Sequence, residues 1–199
     1  MITHSQGNFY GNAIFNDIYA SYHFPNGYAI AQYPMLGNMQ IASPVYQPGS
    51  AASSIFPDAV GHITNDTDLV MLMVRGIFGA VPPNFESPYN PADASGHGLE
   101  ASYLAPTWQA HAIAEQMNRI ADKLVPYPLH GQVGSSSSAI SGFGHSQISA
   151  VLDIEFTSGG VYRYSNVSEQ IFQNLASAPS QGAYFNEWIR DRYDYTRLD

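Results

Sequence analysis

Hydrophobic and polar positions follow two regimes along this chain. From residue 139 onward the pattern is regular. Over 147–156, Ile148, Ala150, Leu152, Ile154 and Phe156 alternate with Asp153 and Glu155, the period-2 signature of a half-buried strand. Residues 157–160 read as a turn, 161–164 as the returning strand, and 139–143 as a further strand. Asn166, with Glu169 three residues on, resembles a capping-box helix start. The apolar stripe Val167, Ile171, Phe172 and Leu175 follows, and Pro179 ends it. Tyr184, Phe185, Trp188 and Ile189 make a second short helix.

Upstream the pattern is broken by Pro, Gly and Asn. Residues 19–24 and 28–33 flank Pro25-Asn26-Gly27, which predicts an aromatic β-hairpin. The span 34–57 reads as loops and short edge strands, and 82–94 as another irregular loop. Asn65-Asp66-Thr67-Asp68 caps a predicted helix over about 68–79. A helix over about 107–124 turns Trp108, Ile113, Met117, Ile120 and Leu124 inward and Gln109, Gln116 and Asp122 outward. The run 131–138, Gly- and Ser-rich, reads as a linker. The expected fold class is α+β. It comprises an irregular mixed part over 1–130 with the hairpin and two helices, the linker, and a small antiparallel sheet plus two short helices over 139–199.

Charge changes this picture most. Only 12% of the 199 residues are Asp, Glu, Lys or Arg, and the net charge is -9. Lys123 is the sole lysine. Seven basic residues against sixteen acidic ones disfavour nucleic acid as a partner and an anionic membrane surface as a dock. Without cysteine the chain has no disulfide, thiolate nucleophile or Cys-ligated metal. No signal peptide is expected from Met1–Gln6, and no apolar run is long enough to span a bilayer.

Candidate chemistry is sparse. His111 and Glu115 share a helix face and His97 and Glu100 lie just upstream, but the ligand spacing of a zinc site is lacking. Asp58 with His62, and Asp66 with Asp68, read as capping rather than calcium ligation. Ser135–Ser138 has no G-x-S-x-G elbow around it, and no nucleotide-binding glycine fingerprint occurs. No catalytic residue, metal or cofactor is assigned. A hydrolase, if present, would gather some of His97, Glu100, His111 and Glu115 in a deep pocket.

The C-terminal pattern carries a resemblance. The serine lead-in, Leu152-Asp153-Ile154-Glu155-Phe156, then Gly159-Gly160-Val161-Tyr162-Arg163-Tyr164, Ser180–Asn186 and Tyr193–Leu198 together resemble the KTSC family, over about 136–198. Tyr162 and Tyr164 match its Y-x-Y hallmark. The resemblance implies a compact module of about sixty residues, found in bacteria and phages and suggested to bind RNA. On that footing Tyr162, Arg163, Tyr164, Arg190, Arg192, Tyr193, Tyr195 and Arg197 are candidate contacts for stacking and phosphate. Residues 145–199 nevertheless hold four Arg against seven acids.

Low charge and 14 tyrosines resemble the composition of protein–protein contact surfaces. The expectation is a non-enzymatic assembly protein, a virion or extracellular-particle component whose partners are other protein subunits contacted through 34–57 and 82–106. An RNA-binding module and a hydrolase with an unrecognised site are the alternatives, with the cytoplasm as the other location.

Overall fold

The computed structural model describes residues 1–24, 27–125 and 127–198. The fold is α+β. Contacts divide the chain into an N-terminal unit, residues 1–24 with 29–125, and a C-terminal unit, residues 126–199 with 25–28.

The N-terminal unit is built on a three-stranded parallel sheet: β1 (Ile2–His4), β2 (Asn38–Ile41) and β3 (Val60–Ile63), in that order. Register runs Ile2 to Met39 and Met39 to Gly61. Helix α1 (Gly7–Ser21) connects β1 to β2. The predicted hairpin is therefore replaced. Asn8, Gly11, Phe15 and Tyr19 recur at helical spacing and are the buried face of α1, so Tyr19–Ser21 are helical. Among the described residues the isolated antiparallel bridge of His23 with Ala29 and the bond from Ile30 N–H to Tyr22 O remain of the pairing, and Pro25 and Asn26 lie outside the described residues. The span 34–57 also departs from expectation, because β2 is the central strand and all four of its residues are buried.

Helix α2 (Leu69–Phe78) starts where the acidic cap predicts: Asp68 accepts from Met71 N–H at 2.9 Å. Helix α3 (Thr107–Ala121) matches its predicted span, but its inward face is shifted. Gln109 is fully buried and donates to Asn65 Oδ1, whereas Trp108 is half exposed. A buried polar partner on β3's outgoing loop wins that position over the larger apolar ring. Met39, Ile41, Ile63, Met71, Tyr103, Ile113 and Ile120 form the core.

The C-terminal unit is a five-stranded antiparallel meander: β4 (Val133–Gly134), β5 (Ile140–Ser146), β6 (Val151–Phe156), β7 (Val161–Ser165) and β8 (Tyr195–Arg197). Helices α4 (Glu169–Ser177) and α5 (Gln181–Trp188) cover one face, burying Ile140, Phe143, Leu152, Ile154, Leu175, Phe185 and Ile189. The run 131–138 is structured rather than a free linker. Val133 and Gly134 pair with Phe143 and Gly142, and Ser135 Oγ donates to Gln181 Oε1. Helix α4 is capped by Ser168, two residues later than the Asn166 start. Ile148 lies outside β6 and is exposed.

The opposite sheet face is partly covered, with Ser141 exposed and Asp153 buried. Asp153, expected outward, is fully buried in a bidentate pair with Arg163 (2.6 and 2.7 Å) and also accepts from Leu129 N–H. Segment 127–130 crosses here so closely that a Cβ on Gly144 would lie 1.8 Å from Leu129 O. Glycine at 144 is a requirement of backbone approach. Among the described residues no helix is long and apolar enough to cross a membrane.

Candidate active site

Parallel sheets present their loops and helix N-termini at the carboxyl ends of the strands, where side chains from distant positions converge. Here β1 delivers Ser5, one residue past its end. Ser5 adopts φ +52°, a left-handed conformation that costs a non-glycine residue energy and is found where a side chain must be thrust out of a tight strand-to-helix turn. Its backbone is pinned on both sides: Ser5 N–H donates to Ile41 O, and Ser5 O accepts from Asn8 N–H. The sequence around it is Thr3-His4-Ser5-Gln6-Gly7.

The loop after β3 delivers Asp68, and the loop after α2 delivers His97. His97 Nε2 lies 2.8 Å from Ser5 Oγ, and His97 Nδ1 lies 2.9 Å from Asp68 Oδ2. An ionised carboxylate only accepts, so Nδ1 carries the proton in the neutral ring and Nε2 is left to accept from the Ser5 hydroxyl. Asp68 is completely buried and takes two further donors, Met71 N–H and Tyr103 O–H. Burial drives the Tyr103 hydroxyl far above its usual pKa, so it remains a donor. A π-helical turn, Leu99–Leu104, closed by Ala105 N–H to Glu100 O, carries Tyr103 into place.

The His97 loop is held by Asp93, which accepts from the hydroxyls of Ser95 and Ser102 and from Gly98 N–H. The two hydroxyls and that amide keep the Asp93 carboxyl well below the ordinary carboxylate range. Gly96 takes φ +66°, and a Cβ there would meet Thr67 O at 2.5 Å. His4 completes the frame: its Nε2 donates to His97 O at 3.1 Å and its ring lies 5.1 Å from the His97 ring. Burial, then the neighbouring His97, lowers the His4 pKa, keeping it neutral at neutral pH.

Ser5 opens into a cavity of about 580 Å³ lined by Phe9, Pro44, Val70, Met71, Val74 and Phe78 and by its chain neighbours His4, Gln6 and Gly7. Gln6 N–H, the amide after Ser5, lies at the N-terminal end of the 15-residue α1, where amides precede the first intrahelical acceptor. Ser, His and Asp in hydrogen-bonded series, with an amide-rich helix end beside the hydroxyl, are equipped for proton removal from Ser5 and for stabilising a developing oxyanion.

The pocket that a hydrolase was to build from some of His97, Glu100, His111 and Glu115 does not form. His111 and Glu115 pair with each other at 3.2 Å on the exposed face of α3, Glu100 is exposed, and only His97 is drawn into the site. Sequence reasoning missed Ser5 because Thr3 stands where G-x-S-x-G has its first glycine. The available signal was x-S-x-G opening a helix, followed by Asp and then His in chain order.

The second cluster of interest lies in the C-terminal unit. Pairing of β7 with β8 sets Tyr162 beside Arg197 and Tyr164 beside Tyr195. These tyrosines, with Phe185, Asn186, Arg190 and Asp191, wall a cleft of about 510 Å³. A family model for the KTSC domain matches residues 136–193. An uncharacterised protein of Stutzerimonas stutzeri is 35% identical over 69 residues, 34% of this chain and 97% of that protein. The chain belongs to the KTSC family. The lysine–tRNA ligase of Nostoc punctiforme is 35% identical over 75 residues, 38% of this chain, and the match spans only 13% of the ligase. A crystal structure of a KTSC domain protein from Yersinia pestis matches with 32% identity, covering 33% of this chain and 93% of that one, with a TM-score of 0.33.

The KTSC unit separates the eight candidate contacts. Tyr162, Tyr164, Tyr195 and Arg190 share the cleft, and the Arg197 guanidinium lies 5.9 Å over the Tyr162 ring. Tyr164 is buried, with its hydroxyl pushed up to about 12 by burial. Arg163 points to the opposite face, bound to Asp153 and Tyr127 O. Arg192 lies 5.6 Å over Trp188, and Tyr193 packs against the core.

Proposed function

We propose that the N-terminal unit is a serine hydrolase acting by acyl transfer. The observation that carries this reading is the continuous chain Ser5 Oγ–His97 Nε2 and His97 Nδ1–Asp68, at 2.8 and 2.9 Å, ending on a buried carboxylate. A surface Ser–His contact arises easily; a left-handed serine at a strand-to-helix turn joined to a buried His–Asp pair does not. The chain order Ser, Asp, His and the position at the carboxyl ends of parallel strands are those of α/β-hydrolases.

In this reading Ser5 Oγ attacks a carbonyl carbon while His97 Nε2 takes the hydroxyl proton. Asp68 stabilises the imidazolium that results. The tetrahedral oxyanion faces Gln6 N–H. Collapse breaks the bond to the leaving group, which receives the proton from His97, and water, deprotonated by His97, then releases the acid and restores Ser5. The assembly and RNA-binding expectations rest on composition and on the family resemblance, and the triad supports hydrolysis more directly.

The test is turnover of p-nitrophenyl acetate by the full chain and by Ser5→Ala, His97→Ala and the double variant. Each single change should lower kcat/KM by roughly 10³-fold or more, and the double should cost no more than either single, because the two side chains act as one unit. Additive losses, or turnover that survives Ser5→Ala, would overturn the proposal.

A further inference from the structure

The triad leaves its substrate open, and the cavity beside it narrows that choice. Its walls come from three places: Phe9 on α1, Pro44 after β2, and Val70, Met71, Val74 and Phe78 on α2. On α2 these positions follow 70, 71, 74, 78, one helical stripe directed at Ser5. Among the described residues no Lys, Arg, Asp or Glu lines the cavity. The polar lining side chains are those of His4, Ser5 and Gln6, consecutive residues at the nucleophile. At about 580 Å³ the space suits an organic group of moderate size.

Other clusters carry less. The cleft of the KTSC unit is lined by mixed polar and aromatic groups, and the His111–Glu115 pair is a solvated contact on one helix.

Resting on the serine-hydrolase reading, we infer that this cavity is the acyl subsite, and that the substrates are esters of uncharged acyl groups of medium length. The acyl chain lies along the α2 stripe with its carbonyl carbon at Ser5 Oγ. A carboxylate at the far end of the chain meets no cation among the described lining residues and lies against apolar side chains, a poorer surrounding than water. The reaction balances without any further reagent: ester and water give carboxylic acid and alcohol, the acyl–oxygen bond breaking and the alcohol taking the proton that Ser5 gave to His97.

The experiment compares kcat/KM for p-nitrophenyl acetate, p-nitrophenyl hexanoate and the p-nitrophenyl half-ester of adipic acid on the full chain. Each methylene buried in an apolar site favours binding by about fourfold, so hexanoate should exceed acetate by at least about tenfold. The adipate half-ester, equal in length but ending in a carboxylate, should fall at least about tenfold below hexanoate. Phe78→Glu, at a position 75% exposed and so tolerant of substitution, should lower the hexanoate-to-acetate ratio by about tenfold. Val74→Asp should do the same from deeper in the stripe. A flat series, preference for the half-ester, or a ratio untouched by both variants would overturn the acyl-subsite inference while Ser5-dependent acetate turnover kept the hydrolase reading. Absence of Ser5-dependent turnover on all three esters would overturn both.

Discussion

At Asp68 one carboxylate caps α2 through Met71 N–H and fixes the His97 ring, so substitutions there separate two roles. Asp68→Asn keeps an acceptor for the cap but removes the charge that stabilises an imidazolium. It should cost on the order of 10³–10⁴-fold in kcat with little change in unfolding midpoint. Asp68→Ala should lose both, with about 1 kcal/mol from the cap alone and more from the orphaned Tyr103 and His97 donors. Equal stability losses in the two variants would contradict this division. His4 supplies a pH dependence. Its folded pKa lies below 6.5, so at higher pH both folded and unfolded chains hold it neutral and it has no effect on stability. As pH falls below about 6.5 the unfolded chain takes up the proton first, and folding loses stability until the folded value is also passed. Chemical denaturation from about pH 8 to 5 should therefore show a decline that His4→Gln makes shallower; an unchanged slope would contradict it. At this scale the sequence was readable where a residue's role is local. The cap at Asp68 followed from its neighbours, but its pairing with His97 spans 29 positions and Ser5 lies 92 from His97. No local pattern encodes such a meeting.

Elements position these residues, and glycine marks one of the tightest places. Gly96→Ala would put a Cβ 2.5 Å from Thr67 O at φ +66°, so the loop carrying His97 must shift. The expected outcome is a fall in kcat of about 10²-fold, since a 1 Å misplacement in a catalytic array has that effect, with global unfolding little altered. Unchanged kcat would show that the loop does not fix His97. Helix α1 explains why part of the fold was hidden. Its sequence, Gly7-Asn8-Phe9-Tyr10-Gly11-Asn12, is poor in strong helix formers, and tertiary burial of Asn8, Gly11, Phe15 and Tyr19 overrides that weakness. Strand β2 was hidden for a related reason: Asn38 and Gln40 are polar yet fully buried, with Gln40 Nε2 donating to Asn12 Oδ1 and its Oε1 accepting from Ser43 Oγ. In contrast β6, β7, α2 and α3 carry clear periodicity and were legible as elements, although β6 starts at Val151 rather than 147 and α3 ends at Ala121 rather than near 124. Strand β8 was not, because all three of its residues are exposed.

Across the molecule, the triad and its cavity belong wholly to the N-terminal unit, and the family match to the KTSC unit. Each unit should therefore respond to its own substitutions. Arg163→Ala leaves Asp153 charged and buried without its partner, a loss of about 3–5 kcal/mol to the KTSC unit. Calorimetry should show that unit melting earlier while Ser5-dependent ester turnover at 25 °C changes little. Loss of turnover in parallel with the melt would contradict separate behaviour.

The central claim is that Ser5 is an activated nucleophile, and the most direct measurement is intact and peptide-mapped mass after treatment with a small alkyl fluorophosphonate. The account predicts one adduct per chain, on the peptide containing Ser5, formed rapidly by the wild type, slowed by at least about 10²-fold in His97→Ala, and absent in Ser5→Ala. An unmodified Ser5, or labelling at Ser5 as fast in His97→Ala as in the wild type, would contradict it.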